Sequence, residues 1–266
     1  MTRAAGPLIV IGGHEDKEGS RTILRAVAAA TGGGKLVVAT VASHKPKGYF
    51  ANYQKAFDGL GVGELVELYL DSREETFDDT KLAILDGAAG VFFSGGDQLR
   101  LSSQVGDSPI DKRIREIWNS GGVIAGTSAG ASVMSETMLV RGTSSESHRI
   151  GDLRMAAGLG LIRDVVVDQH FAERGRIGRL LGAVAQSPRI LGIGIDEDTA
   201  IQVKGEGFEV LGSGAVYVVD GRHVSQSNIS EARDDSALSM FGVQMHVLSA
   251  GDTFDLASRT PHLGNN

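Results

Sequence analysis

The 266-residue chain contains no cysteine. That excludes a disulfide framework, a thiolate metal site and a cysteine nucleophile. Positive charge is also in short supply. The chain has 26 Lys and Arg against 33 Asp and Glu, a formal net charge of -7. Broad binding to nucleic acid or to an anionic membrane wants a basic surface, so neither is expected. No apolar run approaches the roughly 18 residues of a spanning helix. The N-terminal stretch MTRAAGPLIVIGGHEDKEG offers only LIVI as an apolar core, too short for a secretory signal. A cytoplasmic location is the expectation. Linkers, repeats and low-complexity segments are lacking too, so residues 1–266 read as one domain, with a disordered tail over 258–266.

What the chain does have is a series of short apolar, β-branched runs that end in glycine or polar residues. They are LIVIGG (8–13), KLVVATVAS (35–43), ELVELYL (64–70), GVFFSGG (90–96), GGVIAG (121–126), DVVVDQH (164–170) and ILGIGID (190–196). Runs without alternation suit strands buried on both faces. Helical patterns lie between them, at 21–30, 49–60, 81–89, 109–120 and 171–186. Ser108-Pro109 opens one helix, with proline in its first turn. Strand–helix alternation predicts an α/β fold: a mostly parallel, doubly wound sheet with helices on both faces. Beyond residue 200 the runs IQV, FEVL, AVYVVD and MHVLSAG are separated by turns such as Asp220-Gly221, which predicts antiparallel strands there.

One stretch carries chemistry. In GGVIAGTSAGASVMS, Ser128 fits G-x-S-x-G after a buried strand and before a predicted helix, SAGASVMSE, the setting of a nucleophile elbow. Such a turn forces an unusual backbone on the serine, so its neighbours must be small. Close packing of a strand–helix crossover explains the same composition equally well. A serine hydroxyl needs a base. Of the seven histidines, His170 ends the VVVDQH run, at the strand edge where catalytic groups gather in α/β sheets. His44 and His262 stand in polar segments, and His246 reads as structural. The base needs an orienting acid, and GIDEDTA places Asp196, Glu197 and Asp198 after another buried run. Spacing does not choose among them. Backbone N–H groups of Gly96, in FFSGGDQ, and Ala129 are candidates for an oxyanion hole.

The blocks IGGHEDK, FFSGGDQLRL, AGTSAGASVM, VVDQHFAERGRIGRLL and GIGIDEDTA occur in this order. Together they resemble the cyanophycinases, in the serine peptidase group that includes aspartyl dipeptidase. The likeness spans about residues 8 to 220, and its DQHF-plus-arginine and DEDT blocks favour cyanophycinase over the dipeptidase. It implies a fold like that of the class I glutamine amidotransferases. It also implies an exopeptidase that hydrolyses cyanophycin, a poly-aspartate carrying arginine on each β-carboxyl group, to β-aspartyl-arginine dipeptides. Under this resemblance Ser128 is the nucleophile, His170 the base and Glu197 the third member. Gln98, Asp168, Gln169, Arg174, Arg176 and Arg179 become substrate-binding residues, because arginine grips carboxylates bidentately. Asp168 either faces the substrate guanidinium or pairs with one of these arginines, and a solvated helix face is the plain alternative for Arg176 and Arg179. No metal or organic cofactor is implied, and the partners are the polymer and a second copy of the chain. Two departures stand out: His14, where a small residue is expected, and the later residues of the loop 141–150. Rival readings are an aspartyl or isoaspartyl dipeptidase, an unrelated α/β-hydrolase esterase and a catalytically silent binding relative. The esterase fold places its histidine after the acid, whereas the order here is Ser, His, Glu.

Overall fold

The computed structural model describes residues 4–44, 47–142, 149–231, 233 and 235–264. Five parallel strands form the centre: β1 (Leu8–Ile11), β2 (Lys35–Ala39), β3 (Glu64–Leu68), β4 (Ala88–Phe93) and β5 (Val123–Thr127). Between them run α1 (Thr22–Ala30), α2 (Tyr49–Phe57), α3 (Asp79–Ala83), α4 (Gln98–Val105) and α5 (Pro109–Asn119). The short α6 (Ala129–Ser132) follows β5. A β6 (Thr137–Arg141) and β7 (Arg154–Ala157) hairpin leads to β8 (Val165–Gln169), α7 (Ile177–Gln186) and β9 (Leu191–Ile195). The remaining strands are β10 (Thr199–Lys204), β11 (Gly207–Gly212), β12 (Val216–Asp220), β13 (Gln226–Ser227), β14 (Met240–Phe241), β15 (Gln244–Leu248), β16 (Thr253–Asp255) and β17 (Thr260–His262).

The α/β class and the antiparallel C-terminal strands are as the sequence predicts. The strands fall into two main sheets. The larger runs β17-β16-β11-β10-β1-β5-β4-β2-β3, and the smaller β15-β12-β9-β8. Every residue of LIVI is buried because β1 is covered twice: Leu8 and Val10 pack with α4 and α5, while Ile9 and Ile11 pack with α1 and α2. In the smaller sheet Ile193, Ile195, Val216 and Val218 join the first of those cores. Its outer face takes Leu180, Ala183 and Val184 of α7. The glycines of the LGIGI strand make that packing possible. A Cβ on Gly192 would lie 2.9 Å from Leu180 and Val184 carbons, and one on Gly194 would lie 2.5 Å from the Phe171 ring.

Several predicted elements differ in length. The helix predicted over 81–89 ends at Ala83, because Gly87 takes φ 68° and β4 begins at Ala88. The one predicted over 171–186 is α-helical only from Ile177. The helix predicted after Ser128 is four residues long. The tail expected to be disordered is a strand at Thr260–His262, held at the edge of the larger sheet by pairing with β16. Local composition carried no sign of that partner. Most of the loop 141–150, residues 143–148, lies outside the described residues.

Candidate active site

Ser128 stands on the turn between β5 and α6 with φ 54° and ψ -112°, a conformation L-residues rarely adopt. Its N–H donates to the Ile11 carbonyl at 3.0 Å, and its own carbonyl accepts from the Ala131 and Ser132 amides, both at 3.0 Å. The flanking glycines of G-T-S-A-G supply room. A Cβ on Gly126 would lie 2.4 Å from the Gly130 oxygen, and one on Gly130 would lie 2.4 Å from the Phe93 oxygen. The small residues therefore pack β4, β5 and α6 together, and that packing holds the serine in its turn.

The smaller sheet delivers the imidazole. His170 follows the last residue of β8, with φ 48°, and its amide donates to the Gly12 carbonyl at 2.8 Å. The next carbonyl, of Gly13, accepts from the Asp198 amide at 2.8 Å. Thus the loop after β1, in the larger sheet, ties down both the β8 end and the β9–β10 turn. Gly13 has φ 112°, and a Cβ there would lie 2.2 Å from His170 Cε1. His170 Nε2 sits 2.9 Å from Ser128 Oγ, and its Nδ1 sits 2.6 Å from Glu197 Oε1. Among the described histidines, His170 alone has a hydrogen bond to Ser128.

The three consecutive acids divide three tasks. Asp196 is buried and accepts from the Ala172 and Ala215 amides at 2.9 and 3.1 Å. Asp198 accepts from the Asp16 amide at 2.8 Å and from Ser213 Oγ at 2.8 Å. Glu197 takes His170 on one oxygen and His14 Nδ1 on the other, at 2.9 Å. Burial pushes the Glu197 carboxyl up, but its bonds to the two imidazoles outweigh that and hold its pKa below the ordinary value. For His170 burial dominates and lowers the pKa below 6.5, against the opposing pull of Glu197. At neutral pH the pair is an uncharged imidazole beside a carboxylate.

Ser128 and His170 open onto a cavity of about 340 Å³, whose walls include Gly95, Gly96, Thr127, Arg174, Tyr49 and Lys17. The amide of Ala129, first in α6, has no acceptor inside its own helix. A Cβ on Gly95 would lie 3.5 Å from Ser128 Cβ and 3.9 Å from its Oγ. Gly96 has φ 146°, and a Cβ on it would lie 2.4 Å from the Ala42 oxygen. Sequence reasoning missed Glu15, which is buried at the cavity wall. It accepts from Tyr53 at 3.0 Å and from Thr127, Ser128's neighbour, at 2.5 Å, and it pairs with Lys17 at 2.8 Å. Within the charged run HEDK nothing marks one acid as the buried one.

The expected substrate-binding residues separate into two groups. Arg174 is exposed and lines the cavity. Asp168, Gln169, Arg176 and Arg179 are buried behind it and bind one another. Asp168 accepts from Arg179 Nε at 2.6 Å, from Arg179 Nη2, and from Arg176 Nη1 at 3.2 Å. Arg176 also donates to Gln169 Oε1 at 2.7 Å and to the Gln169 carbonyl. Burial lowers the Arg176 pKa to about 10 against the pull of Asp168. None of the four lines the cavity, and the solvated helix face weighed for Arg176 and Arg179 does not exist. Gln98 starts α4 and spends its amide on the Leu139 carbonyl at 2.9 Å. His14 also lines the cavity: its side chain is 71% exposed and edge-on to His170, with ring centroids 5.0 Å apart.

Fold, matched family and relatives together define the class: this is a serine-type peptidase. The description "Peptidase family S51" matches residues 8–211, and the chain belongs to that family. It is 38% identical to a cyanophycinase of Synechococcus elongatus over 255 residues, covering 94% of this chain and 79% of that protein. It is 40% identical to a cyanophycinase of Nostoc sp. (strain PCC 7120 / SAG 25.82 / UTEX 2576) over 257 residues, covering 95% and 86%. The resemblance seen in the five sequence blocks is thereby borne out. The fold is shared with a peptidase from an acI-B1 Actinobacterium, with TM-score 0.72 and 22% identity over 96% of this chain and 98% of that one. No described helix is long and apolar enough to cross a membrane.

Proposed function

We propose that the protein is a cyanophycinase, an exopeptidase that cuts the polymer to β-aspartyl-arginine dipeptides through Ser128, His170 and Glu197. One observation carries this reading: the unbroken row from Ser128 Oγ to His170 Nε2 at 2.9 Å and from His170 Nδ1 to Glu197 Oε1 at 2.6 Å. The names of the S51 relatives supply the substrate class.

His170 takes the hydroxyl proton as Ser128 Oγ attacks a backbone amide of the aspartate chain. The amides of Ala129 and of Gly96, in the Gly95–Gly96 turn, stabilise the developing oxyanion. With α6 only four residues long, that stabilisation comes from the N–H groups themselves rather than from a helix dipole. Glu197 holds the imidazole and offsets its transient positive charge. His170 then protonates the leaving amine, and water resolves the acyl-enzyme. Arg174 meets a substrate carboxylate at the cavity wall, and Gln98, at the start of α4 two residues beyond the wall residue Gly96, is the second substrate-binding residue. Asp168, Gln169, Arg176 and Arg179 act on substrate indirectly, by fixing the segment that carries His170. The enzyme works in the cytoplasm as a homodimer, the latter open to static light scattering.

The test is incubation with insoluble cyanophycin and identification of soluble products by mass. The β-aspartyl-arginine dipeptide should appear with wild type and be absent with Ser128→Ala. Turnover of free aspartyl or isoaspartyl dipeptides, with the polymer left intact, would replace this substrate by that of the dipeptidase.

A further inference from the structure

Glu197 holds two imidazoles, one on each carboxylate oxygen. His170 Nδ1 lies 2.6 Å from Oε1 and His14 Nδ1 lies 2.9 Å from Oε2. The second histidine has no part in the proton path from Ser128. Its backbone is nonetheless held at φ 48°, on the loop that carries Gly13. We infer that His14, Glu197 and His170 form an inhibitory site for a divalent transition-metal ion of the zinc type.

Two imidazoles and one carboxylate are the donor set of a three-ligand zinc site, which leaves a fourth position for water. Nitrogen donors select transition ions over magnesium or calcium, which take oxygen ligands. The donor atoms of the three residues all lie within 4.8 Å of one another. Tetrahedral zinc, with bonds of roughly 2.0–2.1 Å, wants its ligands roughly 3.3 Å apart. The two Glu197 contacts, at 2.6 and 2.9 Å, must open to reach that spacing, and the adjustment falls on the groups with solvent beside them: His14 is 71% and Glu197 25% exposed, while His170 is 4% exposed. The site sits at the rim of the cavity that Ser128 faces, so water reaches the open position.

Binding there changes one proton's place. A neutral His170 that donates from Nδ1 to Glu197 leaves Nε2 bare to accept from Ser128 Oγ. With the metal on Nδ1, the ring proton moves to Nε2. The nitrogen facing Ser128 then carries a hydrogen and has no lone pair for the hydroxyl proton. The metal therefore stops the reaction without covering the serine. This consequence rests on His170 being the base, whereas binding itself does not.

Calorimetric titration of zinc chloride into Ser128→Ala protein separates the two. One ion should bind per chain, and His14→Ala in the same background should weaken it by at least roughly tenfold. Magnesium chloride should give no binding heat. His14→Gln serves as a second variant, and thermal melting confirms that each is folded. Wild-type hydrolysis should be inhibited by zinc and restored by a chelator. No zinc binding up to millimolar concentration, or binding equally tight in both His14 variants, would overturn the site. Binding weakened by His14→Ala without inhibition of hydrolysis would overturn the inhibitory role.

Discussion

Asp168 and His170 stand two residues apart at the end of the same strand, and their polar partners are arranged in opposite ways. Asp168 is fully buried, and both of its carboxylate oxygens are taken up by Arg176 and Arg179. Nothing in that cluster reaches the cavity. His170 is nearly as buried, but its two nitrogens connect an open serine to a quarter-exposed carboxylate. The first arrangement is charge neutralising charge out of water, which tolerates no missing member. The second keeps an uncharged base beside a charged acid, ready for a proton. The comparison teaches that arginines close in sequence to a site histidine can serve its scaffold, since here two of three bind Asp168 and Gln169 at the end of the histidine's own strand.

The largest effect should come from the row. Ser128→Ala should lower kcat on the order of a millionfold, with a melting temperature within a few degrees of wild type. Glu197→Gln should cost about a thousand- to ten-thousandfold, because an amide no longer fixes the tautomer or offsets the imidazolium. Gly13→Ala places a Cβ where the His170 ring lies, and a displaced ring should cost about a hundredfold in kcat. The cluster should respond in the other currency. Arg179→Met leaves Asp168 half-paired in the interior, and urea unfolding should register a loss of about 3–5 kcal/mol. Protein that stays folded should keep its Ser128–His170 hydrogen bond and much of its turnover. If Arg179→Met instead raised KM with stability unchanged, direct substrate contact would replace the structural role.

The smallest effect concerns pH. The row needs His170 neutral, and burial holds its pKa below 6.5. The acid limb of kcat/KM, measured in chelator-treated buffer, should therefore have its midpoint below 6.5. Glu197 pulls that pKa upward, so in Glu197→Gln the midpoint should fall further. A midpoint above 6.5, or an upward move in the variant, would contradict the electrostatics described.

Much of the site was legible because strands that end in glycine or polar residues announce sheet edges. Ser128 and His170 each follow such a run, and the edges meet. The acid was not legible from spacing, since Asp196, Glu197 and Asp198 differ only in which way a turn points them. Three-dimensional partners assign them: two backbone amides for Asp196, the Asp16 loop for Asp198, the imidazoles for Glu197. The partition into two sheets escaped because a strand buried on both faces reads alike in either. Arg176 and Arg179 read as substrate-binding residues, with a helix face in water as the alternative, because arginine is ordinarily exposed or gripping a ligand and their buried partner, Asp168, precedes them on another element. Gly13 and Glu15 lay in a polar loop whose task, making room for one ring and fixing Thr127, depends wholly on distant segments.

The central claim is that serine and imidazole from two different sheets work as one unit. A double-substitution cycle tests it directly: kcat on cyanophycin for Ser128→Ala, His170→Ala and the double variant, each checked for fold. The account predicts that the double variant loses no more than the worse single one, because either change alone already abolishes proton-coupled attack. Losses that multiply, or a single variant that turns over near the wild-type rate, would contradict it.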